Sequence, residues 1–468
     1  MLLALFLACP GSTDSADPDD STGDSGDSGD AATPPMDASH LVVDGLAGSA
    51  TGFAVAMGPD TDGDRGAAAW IAGDYVHQVC RFEGQSGHLT LPDGAACIHS
   101  ANLDYPGYGL GVGAEWVGLG AIGGAAGGTY TGRVYLLAQD IAPGLHEVDE
   151  AAVTLEGESA GDYAGTTVAF LGGGGADSVV VGAPGNDAGG AGAGAGRAYL
   201  WPEGVGLLSG SVAEAPLIIQ GTSPPSALKH GAPEAGDGVG SVAANAGDLD
   251  GDGLDDLVLG CNGADDGGAN AGLAAVFRAP LPSGVVELRD ADVVILGVSE
   301  GQLFGDSAAG LGDTDGDGLG DLAVAGEMAV NGRTWVFSGP AASGSPDAAF
   351  ASFEGEVAGD NAGAALAGAG DVDGDGKADL LVGALLNSDG ASAAGAAYLI
   401  HGPFSPGAHS LRDADTRWVG LADGDSLGRA VAGGRDYDGD GLDDVLLGAP
   451  YSDAGGAFGG AAYVVTGE

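Results

Sequence analysis

The sequence predicts an all-β fold in which seven four-stranded blades form a closed β-propeller, and three observations support this prediction. The chain has 468 residues, of which 94 are glycine and 44% are hydrophobic, so core-forming segments alternate with frequent turns. A short pattern of strand, Asp/Gly loop and strand recurs along the chain. No useful length of sequence shows the hydrophobic period of an amphipathic helix. Repeated units of four short strands are typical of propellers.

The clearest repeats contain the motif Asp-x-Asp-x-Asp-Gly-x-x-Asp followed by an apolar strand. Four copies occupy residues 247–260, 312–326, 370–384 and 436–450. Successive copies are 65, 58 and 65 residues apart, counted between their first aspartates, which are Asp248, Asp313, Asp371 and Asp436. A repeat of this length is one supersecondary unit that buries its apolar face against its neighbours.

Three weaker copies precede these four and bring the number of units to seven. Residues 174–184 keep the apolar strand without the Asp loop, residues 116–121 keep the strand only, and residues 57–73 keep three aspartates. Within a unit the expected order is a small-residue strand, the Asp/Gly loop, an apolar strand, a turn, and a third and fourth strand. We expect the small-residue strand to line the centre, where neighbouring blades approach most closely.

The two ends of the repeat region predict how the ring closes. The last unit ends after its third strand, at residues 461–467, and the repeat region begins with an isolated strand at residues 40–45. This strand can complete the seventh blade and so remove an exposed sheet edge. The prediction therefore assigns residues 40–468 to one propeller of seven blades, rather than six or eight.

Residues 1–39 are predicted to lie outside the propeller. Residues 1–9 are apolar, too short to span a membrane and typical of a secretion signal, and residues 6–9 resemble a bacterial lipobox in which Cys9 carries the lipid. A plain secretory signal and an apolar start without a role are the alternatives. Residues 10–39 are rich in Asp, Ser and Gly and are expected to form a disordered tether, or else an acidic tail without a role.

The charge of the chain weighs against two classes of partner. Lys and Arg number 13 and Asp and Glu number 67, which gives a net charge of −54 at pH 7. Nucleic acids and anionic lipid surfaces are polyanions that this chain repels. The sequence therefore predicts no nucleic-acid partner, membrane attachment only through a lipid anchor, and an affinity for cations. A saline habitat is an alternative cause of the acidity.

The repeated Asp loop has the composition of a calcium site. Hard divalent cations bind about six to eight oxygen atoms, and carboxylates at positions one, three and five of a tight turn converge on one point. Glycine at position six permits the turn, the main-chain carbonyl of position seven adds a ligand, and the aspartate at position nine closes the shell. The predicted carboxylate ligands are Asp248, Asp250, Asp252, Asp256, Asp313, Asp315, Asp317, Asp321, Asp371, Asp373, Asp375, Asp379, Asp436, Asp438, Asp440 and Asp444. The predicted carbonyl ligands belong to Leu254, Leu319, Lys377 and Leu442.

Four such loops predict about four calcium ions. Two like charges about 4 Å apart repel by about 4 kcal/mol at an effective dielectric near 20, so the loops would destabilise a fold that bound no cation. This argues against ordinary acidic turns. Magnesium is less suitable because it demands octahedral geometry and retains its waters. Asp60, Asp62 and Asp64 form either a weak fifth site or a degenerate turn, because Ala68 replaces the fourth aspartate.

The repeats resemble the FG-GAP repeats of the integrin α-subunit head and of secreted bacterial relatives. Phe304 and Gly305 stand at the FG place, and residues 182–184 and 448–450 stand at the GAP place. The resemblance implies a seven-bladed propeller with calcium in loops on one face and ligand binding, often in adhesion, on the opposite face. An inserted ligand-binding domain and leg domains are not found in the sequence, so an integrin receptor is not implied.

Two of the four cysteines lie in the first unit. In a secreted chain, Cys80 and Cys97 are expected to form a disulfide. A zinc site is the alternative, because His77, His88 and His99 lie in the same stretch. Cys261 is expected to be a small buried residue with a free thiol.

The sequence predicts a calcium-binding cell-surface propeller that binds a protein or glycan ligand, in adhesion or another surface interaction. Its location is expected to be the cell envelope or surface, with a lipid anchor at Cys9. Ligand contacts are expected on the rim opposite the Asp loops, unless the segments there are simply solvated turns. These segments are the turns 263–272, 387–395 and 451–459 and the inter-blade links near 299–304, 354–361 and 423–427. Aromatic contacts there would come from Tyr163, Phe304, Tyr451 and Phe458.

Two other functions remain open from the sequence. One is a structural component of an envelope or matrix that has no discrete ligand. The other is a hydrolase or lyase at the mouth of the propeller channel. No nucleophile elbow, metalloprotease motif or phosphate loop occurs in the required setting, so the expectation is that the protein is not an enzyme.

Overall fold

The computed structural model describes residues 41–60, 66–73, 77–93, 96–100, 106–123, 130–173, 176–187, 194–204, 206–221, 236–326 and 330–468. The regular structure of these residues consists of strands and short 3₁₀ turns, without an α-helix. The predicted all-β class is confirmed. Within this part of the chain, no helix has the length and apolar character that crossing a bilayer requires.

The strands are short, as expected for propeller blades. In chain order they are β1 (Leu41–Asp44), β2 (Thr51–Gly58), β3 (Ala68–Gly73), β4 (Gln78–Glu83), β5 (Gly87–Thr90), β6 (Ala96–His99), β7 (Pro106–Val112), β8 (Trp116–Ala121), β9 (Arg133–Ala138), β10 (Gly144–Glu147), β11 (Val153–Glu156), β12 (Thr167–Leu171), β13 (Ser178–Ala183), β14 (Arg197–Trp201), β15 (Gly210–Ser211), β16 (Leu217–Gln220), β17 (Val242–Gly247), β18 (Asp256–Cys261), β19 (Leu273–Phe277), β20 (Gly284–Glu287), β21 (Val293–Leu296), β22 (Ser307–Gly312), β23 (Asp321–Gly326), β24 (Arg333–Phe337), β25 (Ala351–Glu354), β26 (Ala362–Gly370), β27 (Asp379–Ala384), β28 (Ala396–Ile400), β29 (Gly407–Ser410), β30 (Thr416–Val419), β31 (Ala430–Arg435), β32 (Asp444–Ala449) and β33 (Ala461–Val465). The 3₁₀ turns are Leu91–Asp93, Val148–Glu150, Pro202–Gly204, Val212–Glu214, Leu288–Asp290, Pro346–Ala348 and Leu411–Asp413.

Seven sheets form seven blades, each with four antiparallel strands. From the centre outwards, blades 1 to 7 have the orders β2-β3-β4-β6, β7-β8-β9-β11, β12-β13-β14-β16, β17-β18-β19-β21, β22-β23-β24-β25, β26-β27-β28-β30 and β31-β32-β33-β1. The first strands of adjacent blades contact one another in an unbroken ring that returns from β31 to β2. The predicted seven-bladed propeller is therefore confirmed, with the small-residue strands at its centre.

The ring closes through the isolated N-terminal strand. β1 pairs antiparallel with β33, with Leu41 opposite Val464 and Asp44 opposite Ala461. The side chains of Leu41 and Val43 are fully buried in the core that the last and first blades share. One blade thus combines both ends of the propeller sequence, as predicted.

Five blades carry a fifth strand that the sequence did not predict. β5, β10, β15, β20 and β29 each belong to the following unit and pair in parallel with the outer strand of the preceding blade. In blade 4 the same place holds a single bridge between Ile295 and Gly344. These segments have two to four residues and are largely exposed, so they lack the apolar alternation that marks a strand in a sequence.

The core lies between adjacent blades. The second strands of blades 4 to 7 are buried along their whole length, because both faces of each inner sheet are covered by a neighbouring blade. Glycine allows the closest approach between the main chains of neighbouring blades. A Cβ on Gly260 of β18 would collide with the carbonyl oxygen of Gly305 in the next blade, and Gly305 itself has a φ of 88°.

Candidate metal centres and the opposite rim

The four Asp loops lie on one rim of the propeller because each joins the first strand of a blade to the second. Residues 248–256 connect β17 to β18, and equivalent loops connect β22 to β23, β26 to β27 and β31 to β32. The loops therefore occupy blades 4, 5, 6 and 7 in succession. The turns between second and third strands lie on the opposite rim.

Each loop gathers three carboxylates that could hold a metal ion. In every cluster the three ligand oxygen atoms lie within 4.8 Å of one another, and the first aspartate is half-buried. The clusters are Asp248 with Asp250 and Asp252, Asp313 with Asp315 and Asp317, Asp371 with Asp373 and Asp375, and Asp436 with Asp438 and Asp444. The structure thus brings positions one, three and five together in three loops, and positions one, three and nine in the fourth.

The first aspartate organises each turn by accepting main-chain hydrogen bonds. Asp248 Oδ1 accepts from the N–H groups of Gly251 and Asp252 at 2.7 and 3.1 Å, and its Oδ2 accepts from Gly253 at 2.8 Å. The same three bonds recur at Asp313 and Asp436. These hydrogen bonds within the loop therefore stabilise the turn without a bound ion.

One carboxylate oxygen in blade 6 has no such partner. Asp371 Oδ2 accepts from the N–H of Gly376 at 3.0 Å, whereas Asp371 Oδ1 is buried and has no hydrogen-bond partner among the described residues. A buried carboxylate oxygen without a donor is unfavourable unless a cation reaches it. This atom and the all-oxygen donor set both fit a hard divalent cation.

The ninth aspartate lies beneath the loop and ties it to the third strand. Asp256 is fully buried, and its carboxylate accepts from the N–H groups of Leu249 at 3.2 Å and Ala279 at 2.9 Å. Asp321, Asp379 and Asp444 are equally buried and make the equivalent two contacts. Burial raises the pKa of Asp256, Asp379 and Asp444 to about 6.

The seventh position ends the turn. The N–H of Leu254 donates to Asp252 Oδ1 at 2.9 Å, and Leu319, Lys377 and Leu442 make the same contact with the fifth aspartate of their own loops. These four residues, whose carbonyls are the predicted ligands, lie two positions before the second strand. In blade 6 the Lys377 ammonium also lies 3.2 Å from Asp375, which offsets part of the negative charge of that loop.

Neighbouring loops are also hydrogen-bonded to one another. The main-chain carbonyl of each first aspartate accepts an N–H from position eight of the next blade: Asp248 from Gly320 at 2.8 Å, Asp313 from Ala378 at 2.9 Å, Asp371 from Asp443 at 3.0 Å, and Asp436 from Ala67 at 2.7 Å. The four candidate sites thus form one continuous chain of contacts along the rim.

Several predicted positions lie outside the described residues. In the first blade Asp60 is described and exposed, but Asp62 and Asp64 are not, so the weak fifth site stays a prediction. Cys9 and the rest of residues 1–40 are also outside the described part of the chain.

The two cysteines of the first blade face each other across adjacent strands. Cys80 on β4 is directly opposite Cys97 on β6, and the structure joins their sulfur atoms in a disulfide. No thiolate is then left for zinc, and the imidazole of His99 lies 2.9 Å from Glu147 instead. Cys261 is buried with a free thiol, and burial raises the pKa of that thiol.

The aromatic residues predicted for the opposite rim are not all available there. Phe304 is wholly buried against Trp335 and Phe337, so its prediction as a surface contact is wrong: the FG turn points this ring into the core between blades 4 and 5. Tyr163 and Tyr451 are half-buried, and Phe458 is 62% exposed.

A ring of side chains at the channel mouth on this rim was missed by the sequence reasoning. It consists of the residue directly after the glycine that begins the first strand region of each blade: Phe53, Tyr108, Thr166, Ser241, Asp306 and Arg429, with Ala364 in blade 6. All seven are half-buried, and together they line a cavity of about 340 Å³. The signal in the sequence is that this one repeat position varies in chemistry while its flanking glycine recurs.

Comparison with known proteins identifies the repeat family. FG-GAP repeats match residues 362–400 and 427–465, which are the first three strands of blades 6 and 7. No curated protein matches the chain in sequence. Two solved structures are similar. The WD40 domain of Toxoplasma gondii coronin has a TM-score of 0.41 and 12% sequence identity, and the match covers 76% of this chain and 70% of that one. The Dos1 propeller has a TM-score of 0.39 and 11% sequence identity, and the match covers 85% of this chain and 75% of that one. FG-GAP repeats therefore make up at least blades 6 and 7 of this seven-bladed β-propeller.

Proposed function

We propose that this protein is a calcium-stabilised propeller at the cell surface whose role is to bind a protein or glycan ligand, as in adhesion, rather than to catalyse a reaction. The observation that carries the proposal is the recurrence of one carboxylate cluster at the same place in four consecutive blades. FG-GAP propellers often serve in adhesion and ligand binding. Calcium suits these loops because it accepts flexible, oxygen-only coordination.

The residues of each loop would have separate parts in holding an ion. In blades 4 to 6, positions one, three and five supply exposed or half-buried carboxylates, whereas in blade 7 the buried aspartate at position nine joins those at positions one and three. Position nine also fixes each turn to the third strand. A bound calcium ion would neutralise the local excess of negative charge. In a chain with a net charge of −54, this removes repulsion that otherwise opposes the compact state.

Thermal unfolding of the full chain tests the calcium sites directly. Melting temperatures would be compared in chelator, in millimolar calcium and in millimolar magnesium. A cation bound only by the folded state raises the melting temperature by mass action, so a large rise specific to calcium is expected. Equal melting temperatures in chelator and calcium would overturn the calcium proposal.

The rim opposite the Asp loops is the proposed ligand face. Loops on a rigid scaffold commonly carry binding residues, and the channel mouth on this rim combines aromatic, charged and hydroxyl side chains. A cell-binding assay with and without calcium would test it. Calcium-dependent attachment is expected, whereas calcium-driven self-association without attachment would favour a structural component instead.

The proposed location depends on a lipid at Cys9. Mass spectrometry of the membrane fraction should detect a diacylglyceryl-modified Cys9 at the start of the mature protein. A Cys9→Ala variant should be released into the soluble fraction with an unchanged melting temperature, because Cys9 precedes the first propeller strand by about thirty residues of sequence. Retention of this variant in the membrane fraction would contradict the lipid anchor.

A further inference from the structure

The seven-residue ring at the channel mouth, defined above, combines chemically different groups in a fixed order around the axis. Arg429, Phe53 and Tyr108 come from the consecutive blades 7, 1 and 2, and form one half. Thr166, Ser241 and Asp306, from blades 3, 4 and 5, form the other half, and Ala364 separates Asp306 from Arg429. A ring so divided offers a cation and aromatic faces on one side and hydrogen-bonding oxygens on the other.

Arg429 is unusual among the cations of this chain. Of the eleven Lys and Arg residues that the structure describes, nine have a carboxylate within 4.0 Å. Arg429 has none among the described residues, although the chain is strongly acidic; its guanidinium lies 4.9 Å from the centre of the Phe53 ring. A guanidinium stacked in this way keeps its edge N–H groups free for a carboxylate, which it binds in bidentate fashion.

The aromatic half offers two apolar rings, tilted relative to each other, next to that cation. The rings of Phe53 and Tyr108 lie 5.7 Å apart, with an angle of 48° between their planes. Both are only half-buried, and both line the cavity. Aromatic faces of this kind pack against ligands that have one apolar side and polar edges.

The other half offers hydrogen-bond acceptors. The hydroxyls of Thr166 and Ser241 donate to the main-chain carbonyls of Tyr163 at 2.8 Å and Gly260 at 3.3 Å, which leaves their oxygen lone pairs free to accept. One oxygen of Asp306 accepts from the Asn262 amide, and a carboxylate has further lone pairs. A ligand that donates several hydroxyl groups on this side would satisfy them.

We infer that this ring binds a hexuronic acid unit of an acidic glycan. The carboxylate of the sugar would pair with Arg429, the C–H face of its pyranose ring would pack on Tyr108 and Phe53, and its hydroxyl groups would donate to Thr166, Ser241 and Asp306. The cavity of about 340 Å³ has the size of a small-ligand site. The net charge that weighs against polyanionic partners acts less strongly on a single uronate unit, because charges beyond about 8 Å are largely screened in physiological salt. The inference rests on the proposed ligand face and specifies what that face recognises.

Calorimetry and saturation-transfer NMR on the full chain in calcium can test this. The probes are D-glucuronate and D-galacturonate, with D-glucose and D-galactose as neutral counterparts of the same shape. Uronates are expected to bind and the neutral sugars to bind at least about tenfold more weakly, since they lack the charge-assisted pair. An Arg429→Gln variant should abolish the preference for uronates. A Tyr108→Ala variant should weaken the binding of both uronates and neutral sugars.

Arg435→Gln is the matched control. Arg429 directly precedes strand β31, and Arg435 is the last residue of that strand, at the other end of the channel. Like Arg429, Arg435 is a described cation without a carboxylate partner within 4.0 Å. Uronate binding should be unchanged in this variant. Equal affinity for charged and neutral sugars, or full binding by Arg429→Gln, would overturn the inference. Calcium-dependent attachment to cells that uronates do not inhibit would overturn it as well, while leaving the proposed surface function intact.

Discussion

The first aspartate of each Asp loop combines two structural roles. Its side chain accepts main-chain N–H groups of its own turn, and its main-chain carbonyl accepts an N–H of the next blade. In contrast, the side chain of Asp315, at position three, has one hydrogen bond among the described residues, which Asp315 Oδ1 accepts from the N–H of Asp317 at 3.1 Å. A change at position three therefore tests metal binding with little effect on the fold.

At the residue scale, we predict that Asp315→Asn weakens one of the four sites. Asparagine keeps the oxygen that accepts from Asp317 but removes a ligand charge. In chelator, the melting temperature should stay equal or rise slightly, because repulsion within the cluster falls. In calcium, the free energy of unfolding should fall by about 2–3 kcal/mol, which is what one site contributes when the calcium concentration is about 100 times its Kd.

Asp347→Asn is the control for this change. Asp347 is an exposed aspartate outside the loops, in the 3₁₀ turn before β25, and its loss alters the net charge equally. Its melting temperature in calcium should match that of the unchanged protein. A fall as large as that of Asp315→Asn would mean that net charge, and not an ion site, sets the calcium dependence.

At the scale of elements, the Asp loops are connected through single peptide groups. The carbonyl of Leu319, a predicted ligand in blade 5, and the N–H of Gly320 belong to the same peptide unit, and that N–H donates to the carbonyl of Asp248 in blade 4 at 2.8 Å. Ordering one loop therefore orders a group of its neighbour. Binding that removes disorder from a shared element makes the next binding event more favourable.

We predict positive cooperativity between adjacent calcium sites. Variants would retain only two intact loops, either those of blades 5 and 6 or those of blades 4 and 6, with Asp→Asn at positions three and five of the others. Calcium titration of the adjacent pair should give a Hill coefficient above one, and the non-adjacent pair should bind independently. Equal Hill coefficients for the two variants would show that the peptide contacts transmit no coupling.

At the scale of the whole molecule, stability depends on closing the ring. β1 supplies the outer strand of blade 7 and is covalently followed by blade 1, so it links the two ends of the propeller. Without it, β33 would present a free edge with unpaired N–H and C=O groups. The disulfide between Cys80 and Cys97 lies inside blade 1 and cannot replace this link.

Val43→Asp should open the ring. Val43 is fully buried on β1, so the substitution places an unpaired carboxylate in the core between blades 7 and 1. A loss of about 3 kcal/mol or more is expected in denaturant unfolding. Val285→Asp is the control, because Val285 on the edge strand β20 is exposed and the same change there should cost less than about 1 kcal/mol.

Much of this architecture follows from the sequence because its signals are local or repeated. The Asp loop is encoded within nine residues, whose own carboxylates and glycines form the turn. The seven units and the isolated strand at residues 40–45 are enough to predict the blade number and the closure. The burial of Phe304 and the fifth strands could not be predicted, since they depend on how a turn or a short exposed segment meets the neighbouring blade.

The sequence by itself determined the repeat, its blade count and the rim that carries the Asp loops, because each of these is decided by the order of residues within one unit. Only the tertiary structure decided which residues meet across units. The channel-mouth ring joins Phe53 to Arg429, at opposite ends of the propeller sequence, and the rim contacts join Asp248 to Gly320. Closing seven equivalent units around one axis creates these neighbours, so no single unit contains the information.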